Sequence, residues 1–366
     1  MSRTARWIWG FLCWLSAPMP ALAQASISAP LPDTAALAGS FQFKLISEVS
    51  IPGYHSKAWF GPVPTQIFDI TSEYEDETSP CRYSCTEIRN IVSGNVVLKI
   101  KRPLIGLTSP DGTLMAEDDD KNRIVFYSFT SSGASVVSKV KRPFNKTVSV
   151  LDVSVFSGRA EYYATTGSDS ELFSSSVALV DPAKGKLIGK VSASDAINFM
   201  SFSADSTKLN AACADGTLHV WQLPALTELH VFNPMVGGIV RVWDLPNQGM
   251  MLIVTNRREL IEIDSETGAV RGSTTIAGNS DYDLLASPDG RLVTVSLLDG
   301  AQGSWAYSLQ VLDARTLRIV NTLIDHQHVE DLPCTMQFNH DSSMFLYVCT
   351  PTHSVFLARV YRVDRN

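Results

Sequence analysis

One turn pattern recurs along this chain and restricts its folding more than any other feature. Ser109-Pro-Asp-Gly112, Ser203-Ala-Asp-Ser206 and Ser287-Pro-Asp-Gly290 each separate two apolar runs. A second pattern, an apolar run ending in Asp and followed by a small turn, passes through Val180-Asp181 with Lys184-Gly185 and through Ile263-Asp264 with Thr267-Gly268. The clearest full copy runs from Phe199 to Phe232, through Leu209-Asn-Ala-Ala-Cys213 and Asp215-Gly-Thr-Leu-His-Val-Trp221; another runs from Leu284 through Val311-Leu-Asp313 to Leu323. The turn before each unit's last strand falls at Gly94, Gly133, Gly185, Thr227, Gly268 and Thr316, five steps over 222 residues, or about 44 residues each. A period of that size is the mark of a repeat fold.

The runs themselves are short and rich in β-branched and aromatic residues, as in Val177-Ala-Leu-Val180 and Leu309-Gln-Val-Leu312, and no window of helical length keeps a 3.6-residue apolar period. The domain therefore reads as all-β. Four strands in about 44 residues make one blade of a β-propeller. Six turns mark six blades, and a seventh begins at Cys334-Thr-Met-Gln-Phe338, continues through Phe345-Leu-Tyr-Val-Cys349, and stops one strand short at Val363. Phe43 to Ile51 is a strand without a blade, and it predicts closure of the ring by completing the last blade. The sequence thus predicts a seven-bladed propeller over residues 41–366.

The Ser-x-Asp-Gly turns and the Val-Trp221 strand resemble WD-repeat proteins, and the Asp-x-x-Thr-Gly turns resemble the YVTN-type propellers of exported bacterial proteins. This resemblance covers most of Phe41 to Arg362. It departs from the WD pattern in lacking the Gly-His dipeptide, and Val242-Trp-Asp-Leu245 falls on a first strand. What the resemblance implies is architecture.

Residues 1–23 read as an export signal: Arg3 and Arg6, an apolar centre from Trp7 to Leu15, and a small-x-small site at Ala21-Leu22-Ala23. Residues 24–40, rich in Ala, Pro and Ser, read as a flexible leader. Cleavage before Gln24 would leave 28 basic residues against 37 acidic ones, a net charge of −9, with Cys13 gone and five cysteines remaining. That balance argues against nucleic acid and anionic lipid as partners. No later stretch approaches the roughly 20 apolar residues of a spanning helix.

Propeller ligands bind on the face formed by the loops joining strand two to strand three and blade to blade. Lys99-Ile-Lys-Arg-Pro103 and Lys139-Val-Lys-Arg-Pro143 put Arg102 and Arg142 at equivalent between-blade positions. They read as solvated edge charges, with a carboxylate or phosphate clamp as the sharper alternative. Two loops are acidic, Glu73 with Glu75, Asp76 and Glu77, and Glu117-Asp118-Asp119-Asp120. Both read as partner-facing loops, with calcium as the alternative. His326 and His328 form a His-x-His pair in the loop between blades six and seven, either an ordinary polar loop or one side of a metal or haem site.

In an exported chain Cys81 and Cys85 read as a disulfide across a polar loop, with Cys334 and Cys349 as a second bridge, and Cys213 as a buried small hydrophobe. Asp195, Asp281 and Asp283 have the chemistry to line the channel, but no serine-hydrolase elbow, zinc-protease helix, phosphate loop or dinucleotide fingerprint occurs. No cofactor is called for. The expectation is a periplasmic or secreted bacterial binding protein, non-enzymatic, that offers its loop face to an envelope protein, with a small molecule as a lesser possibility. The alternative is an exported enzyme or electron-transfer subunit, a lactonase-like hydrolase or a haem-binding dehydrogenase component.

Overall fold

The computed structural model describes residues 41–365 apart from 53, 62–65, 73–84, 101–105, 120, 131–132, 145–152, 168–174, 247, 277–281, 302–303, 330–334 and 353–354. Strand β1 (Phe41–Pro52) comes first. A first set follows: β2 (Tyr54–Phe60), β3 (Gln66–Ser72), β4 (Cys85–Asn90) and β5 (Val96–Ile100). Next come β6 (Leu107–Thr108), β7 (Leu114–Asp118), β8 (Arg123–Thr130) and β9 (Gly133–Lys141). The third set is β10 (Ser154–Phe156), β11 (Tyr163–Gly167), β12 (Ser176–Asp181) and β13 (Lys186–Ser192). Then β14 (Ile197–Phe202), β15 (Lys208–Cys213), β16 (Leu218–Gln222) and β17 (Thr227–Phe232) are followed by β18 (Ile239–Leu245), β19 (Met250–Thr255), β20 (Glu259–Asp264) and β21 (Val270–Thr275). The sixth set is β22 (Tyr282–Ala286), β23 (Leu292–Ala301), β24 (Ser304–Asp313) and β25 (Ile319–Val329). Last are β26 (Thr335–Phe338), β27 (Met344–Thr352) and β28 (Val355–Arg365).

Every set of four forms its own antiparallel sheet, and β1 joins β28, β27 and β26 in a further one, so all seven sheets have four strands. The expected seven-bladed count needs one correction. Six sheets, and not seven, are blades of consecutive strands; the remaining sheet is composite, drawn from both ends of the described chain. Its N-terminal member is also longer than Phe43 to Ile51. It is a twelve-residue strand bulged between Leu45 and Ser47. The 44-residue ruler holds only in the middle: successive first strands start 42 or 43 residues apart from β10 to β22, and 53 apart at either end of the series.

Turn chemistry sets the hairpins. Ser109 Oγ donates to Asp111 Oδ1 at 2.5 Å and accepts the Leu114 N–H at 2.9 Å, while Thr113 N–H caps the same carboxylate. Ser203 with Asp205 repeats the arrangement, as does Ser287 with Asp289. In the composite sheet Asn339 takes the serine's place and receives Met344 N–H at 2.8 Å. The residue after each aspartate is left-handed: Gly112, Ser206, Gly290 and Ser342. A short polar side chain therefore satisfies backbone groups that the ladder cannot reach.

Apolar residues fill the wedges between neighbouring sheets. Leu252 and Val254 of one sheet pack on Val293 and Val295 of the next, and Trp221 packs on Leu179 and Val177. First strands meet one another, β14 lying against β10 and β18, and β2 against β26, whereas the fourth strands β13, β17 and β21 are mostly exposed. The first strands are therefore innermost.

Candidate functional site

Two inner strands carry a bulge at the same place. Pairing shifts between Ile197 and Phe199 in β14 and between Ile239 and Arg241 in β18. Bulges re-aim the residues that follow. Asn198, the extra residue of β14, donates its side-chain amide to the Ile239 carbonyl at 2.9 Å and ties one bulge to the next.

Past the second bulge, the Arg241 guanidinium sits 5.0 Å over the Phe199 ring, and the ring in turn meets Trp243 edge-on at 5.6 Å. Its Nη2 is 3.5 Å from Asp283 Oδ1 on β22, a loose pair whose side chains are 37% and 48% exposed. Asp283 Oδ1 also accepts the Leu284 N–H at 2.9 Å. Val240, Arg241, Asp283 and Leu284 line an open cavity of about 210 Å3. Drug-sized ligands and cofactors occupy roughly 300 to 1,000 Å3, so this recess suits a side chain or a chain terminus. A stacked guanidinium beside a carboxylate can receive both an anionic and a cationic group.

The residues singled out from sequence are placed differently. Arg142 follows β9 and grips Asp118 with two nitrogens, Nε–Oδ1 at 3.0 Å and Nη2 on Oδ2; the side chains are 17% and 23% exposed. Glu117 and Asp118 belong to β7 and not to a loop, pairing with Val125 and Ile124. Asp119, just beyond, binds Arg123 Nη2 at 2.6 Å. Two carboxylates of the run are thus each matched by an arginine, Asp118 at the end of the strand and Asp119 just beyond it. Arg102 and Asp120 lie outside the described residues, as do Glu73, Glu75, Asp76 and Glu77.

His326 and His328 also belong to a strand, β25, with His328 opposite Ala306, and not to a loop between sheets. The pairing of β25 slips between Ile324 and Gln327, the stretch that holds His326, so simple alternation does not put the two histidines on one face. Among the described residues no group of three or more His, Cys, Asp or Glu side chains is arranged to hold a metal ion.

Cys85 opens β4 opposite Thr71, while Cys81 and Cys334 lie outside the described residues. Cys349 is buried and disulfide-bonded, and Cys213 is buried and free. Asp195 caps the Ala196 N–H at 2.7 Å at the start of β14. Asp281 is outside the described residues, and Asp283 lines the cavity.

Sequence reasoning missed Arg241 and Asn198. A signal existed: Arg241 and Asp283 are 42 residues apart, and Asn198 and Ile239 are 41 apart, each close to one blade period. Polar residues one period apart fall on equivalent positions of adjacent inner strands. No known protein-family model matches the chain, and no curated protein matches it significantly.

Proposed function

We propose that this chain is an exported binding protein of a bacterial envelope that uses the channel end around Arg241 and Asp283 to hold a charged group of a protein partner. The half-exposed Arg241–Asp283 pair carries this reading. Two charges held 3.5 Å apart in an open recess keep donor and acceptor capacity for a third group. Arg142, spent on Asp118, is a poorer anchor. Export is supported by the charged, apolar and small-residue order of residues 1–23 and by the disulfide at Cys349, since such bonds persist in oxidising compartments. The turn pattern supports kinship with WD-repeat or YVTN-type propellers in architecture.

The test is recovery of partners from an envelope extract on immobilised parent protein, on Arg241→Glu, and on a control reversal at Lys184, an exposed residue paired with Asp181. A partner lost with Arg241→Glu and kept with Lys184→Glu supports the site. Equal recovery on all three removes it.

A further inference from the structure

Ser194, His219 and Glu228 lie on the loop before β14, on β16 and on β17. Ser194 Oγ is 3.2 Å from His219 Nε2, and His219 Nδ1 is 2.9 Å from Glu228 Oε1. These separations are those of a nucleophile, a base and the carboxylate that orients the base. The histidine side chain is 7% exposed and the glutamate 50%, while Ser194 is open to solvent. Trp221 stacks on the imidazole at 5.3 Å with planes 13° apart and holds its orientation.

The tautomer follows from the contacts. Ser194 N–H donates to Nε2 at 3.2 Å, so Nε2 is an acceptor and the proton of neutral His219 sits on Nδ1, directed at Glu228. That is the form in which Nε2 takes a proton from a hydroxyl. Ser194 Oγ also contacts Asp215 Oδ2 at 2.9 Å and Thr217 Oγ1 at 2.7 Å. Thr217 binds the other carboxylate oxygen through both its hydroxyl, at 2.6 Å, and its N–H, at 2.9 Å. The serine proton therefore has two charged or basic destinations, Asp215 and His219.

We infer that Ser194 is a nucleophile toward activated acyl and phosphonyl donors, with His219 as its base and Glu228 as the positioning residue. With an aryl ester, Oγ forms a bond to the carbonyl carbon as its proton passes to Nε2. The tetrahedral intermediate then releases the aryloxide, which takes that proton, and leaves an acyl-serine. Water attacks the acyl carbon and gives a proton to Nε2; the carboxylic acid departs as Oγ recovers the proton. Nothing is oxidised or reduced. Aryl esters of small acids are the fitting substrate class, because a good leaving group asks least of oxyanion stabilisation. This activity is independent of the Arg241 recess.

The test is labelling of the purified full chain with a fluorophosphonate probe, peptide mapping of the adduct, and release of p-nitrophenol from p-nitrophenyl acetate. The adduct is expected on Ser194 and absent in Ser194→Ala. His219→Asn should slow labelling about tenfold or more, the usual scale for a lost general base. Glu228→Gln, at a half-exposed position, should slow it severalfold with unchanged melting, and Glu228→Asp should restore part of the rate. A purely structural network would leave the parent unlabelled. That result, an adduct on another serine, or an unchanged rate in Glu228→Gln would overturn the inference.

Discussion

Asn198 binds the main-chain carbonyl of Ile239 across the seam between β14 and β18, 2.9 Å from amide to oxygen. The contact joins two bulges and sets the direction in which Val240 and Arg241 leave β18.

Asn198→Ala should therefore loosen β18 locally. One lost hydrogen bond at a partly exposed position costs about 1 kcal/mol. Amide exchange should speed up in the peptide spanning 239–245 while the β19 and β20 peptides keep their protection. Uniform exchange across the sheet would show that the bulge is held by other contacts.

Glycine has a sharper role at one hairpin than at its neighbours. Gly290 is left-handed, and a Cβ there would lie 2.3 Å from Pro246 Cδ and 2.9 Å from Pro246 N. Gly249 is also left-handed, but a Cβ there meets nothing within 4 Å. Gly249→Ala should cost about 1 kcal/mol of backbone strain, and Gly290→Ala about 3 kcal/mol once the clash with backbone is added. Denaturant midpoints of the two variants measure the difference. Equal midpoints would mean that the Pro246 turn yields without cost.

Glu262 on β20 gives a pH signature. Burial, reinforced by the nearby Asp313 carboxylate and only partly offset by Arg315, pushes its carboxyl up to about 7. A carboxyl raised in the folded state holds a proton that the unfolded chain releases, so its contribution to stability falls as pH rises from about 4.5 to about 7. Glu262→Gln should melt with the parent near pH 4.5 and above it at pH 8. Partial exposure screens the effect to about 1 kcal/mol. A constant difference between the two melting curves across this range would contradict the assignment.

The hairpins were legible because each is decided locally: Ser203 and Asp205 capture backbone groups within five residues of one another. The inner pair was not, because Arg241 and Asp283 meet only after two sheets have formed side by side, 42 residues apart. Charge patterning misled where it was strongest. Glu117 and Asp118 read with Asp119 as an acidic loop, but the first two belong to β7, where Arg142 pairs with Asp118, whereas Asp119, bound to Arg123, lies just beyond the strand. Likewise the pairing shift between Val220 and Trp221, which puts Glu228 opposite Trp221 with its carboxylate 2.9 Å from His219 Nδ1, has no counterpart in the local residue pattern.

Arg241 and Asp283 make the binding proposal testable separately from folding. Both are more than a third exposed and 3.5 Å apart, so their mutual pairing contributes within about 0.5 kcal/mol. Arg241→Glu, which also gives up the guanidinium's place over Phe199, should lower the melting temperature only slightly and leave the protein folded. Exchanging the two charges, Arg241→Asp with Asp283→Arg, rebuilds an ion pair but reverses the order in which a ligand meets them. For a partner recovered on the parent protein, both variants should associate about tenfold more slowly at low ionic strength, and the curves should converge as salt screens the charges. Stopped-flow association over a salt series reads this directly. An on-rate indifferent to both variants at low salt would place the partner's contact elsewhere on the propeller.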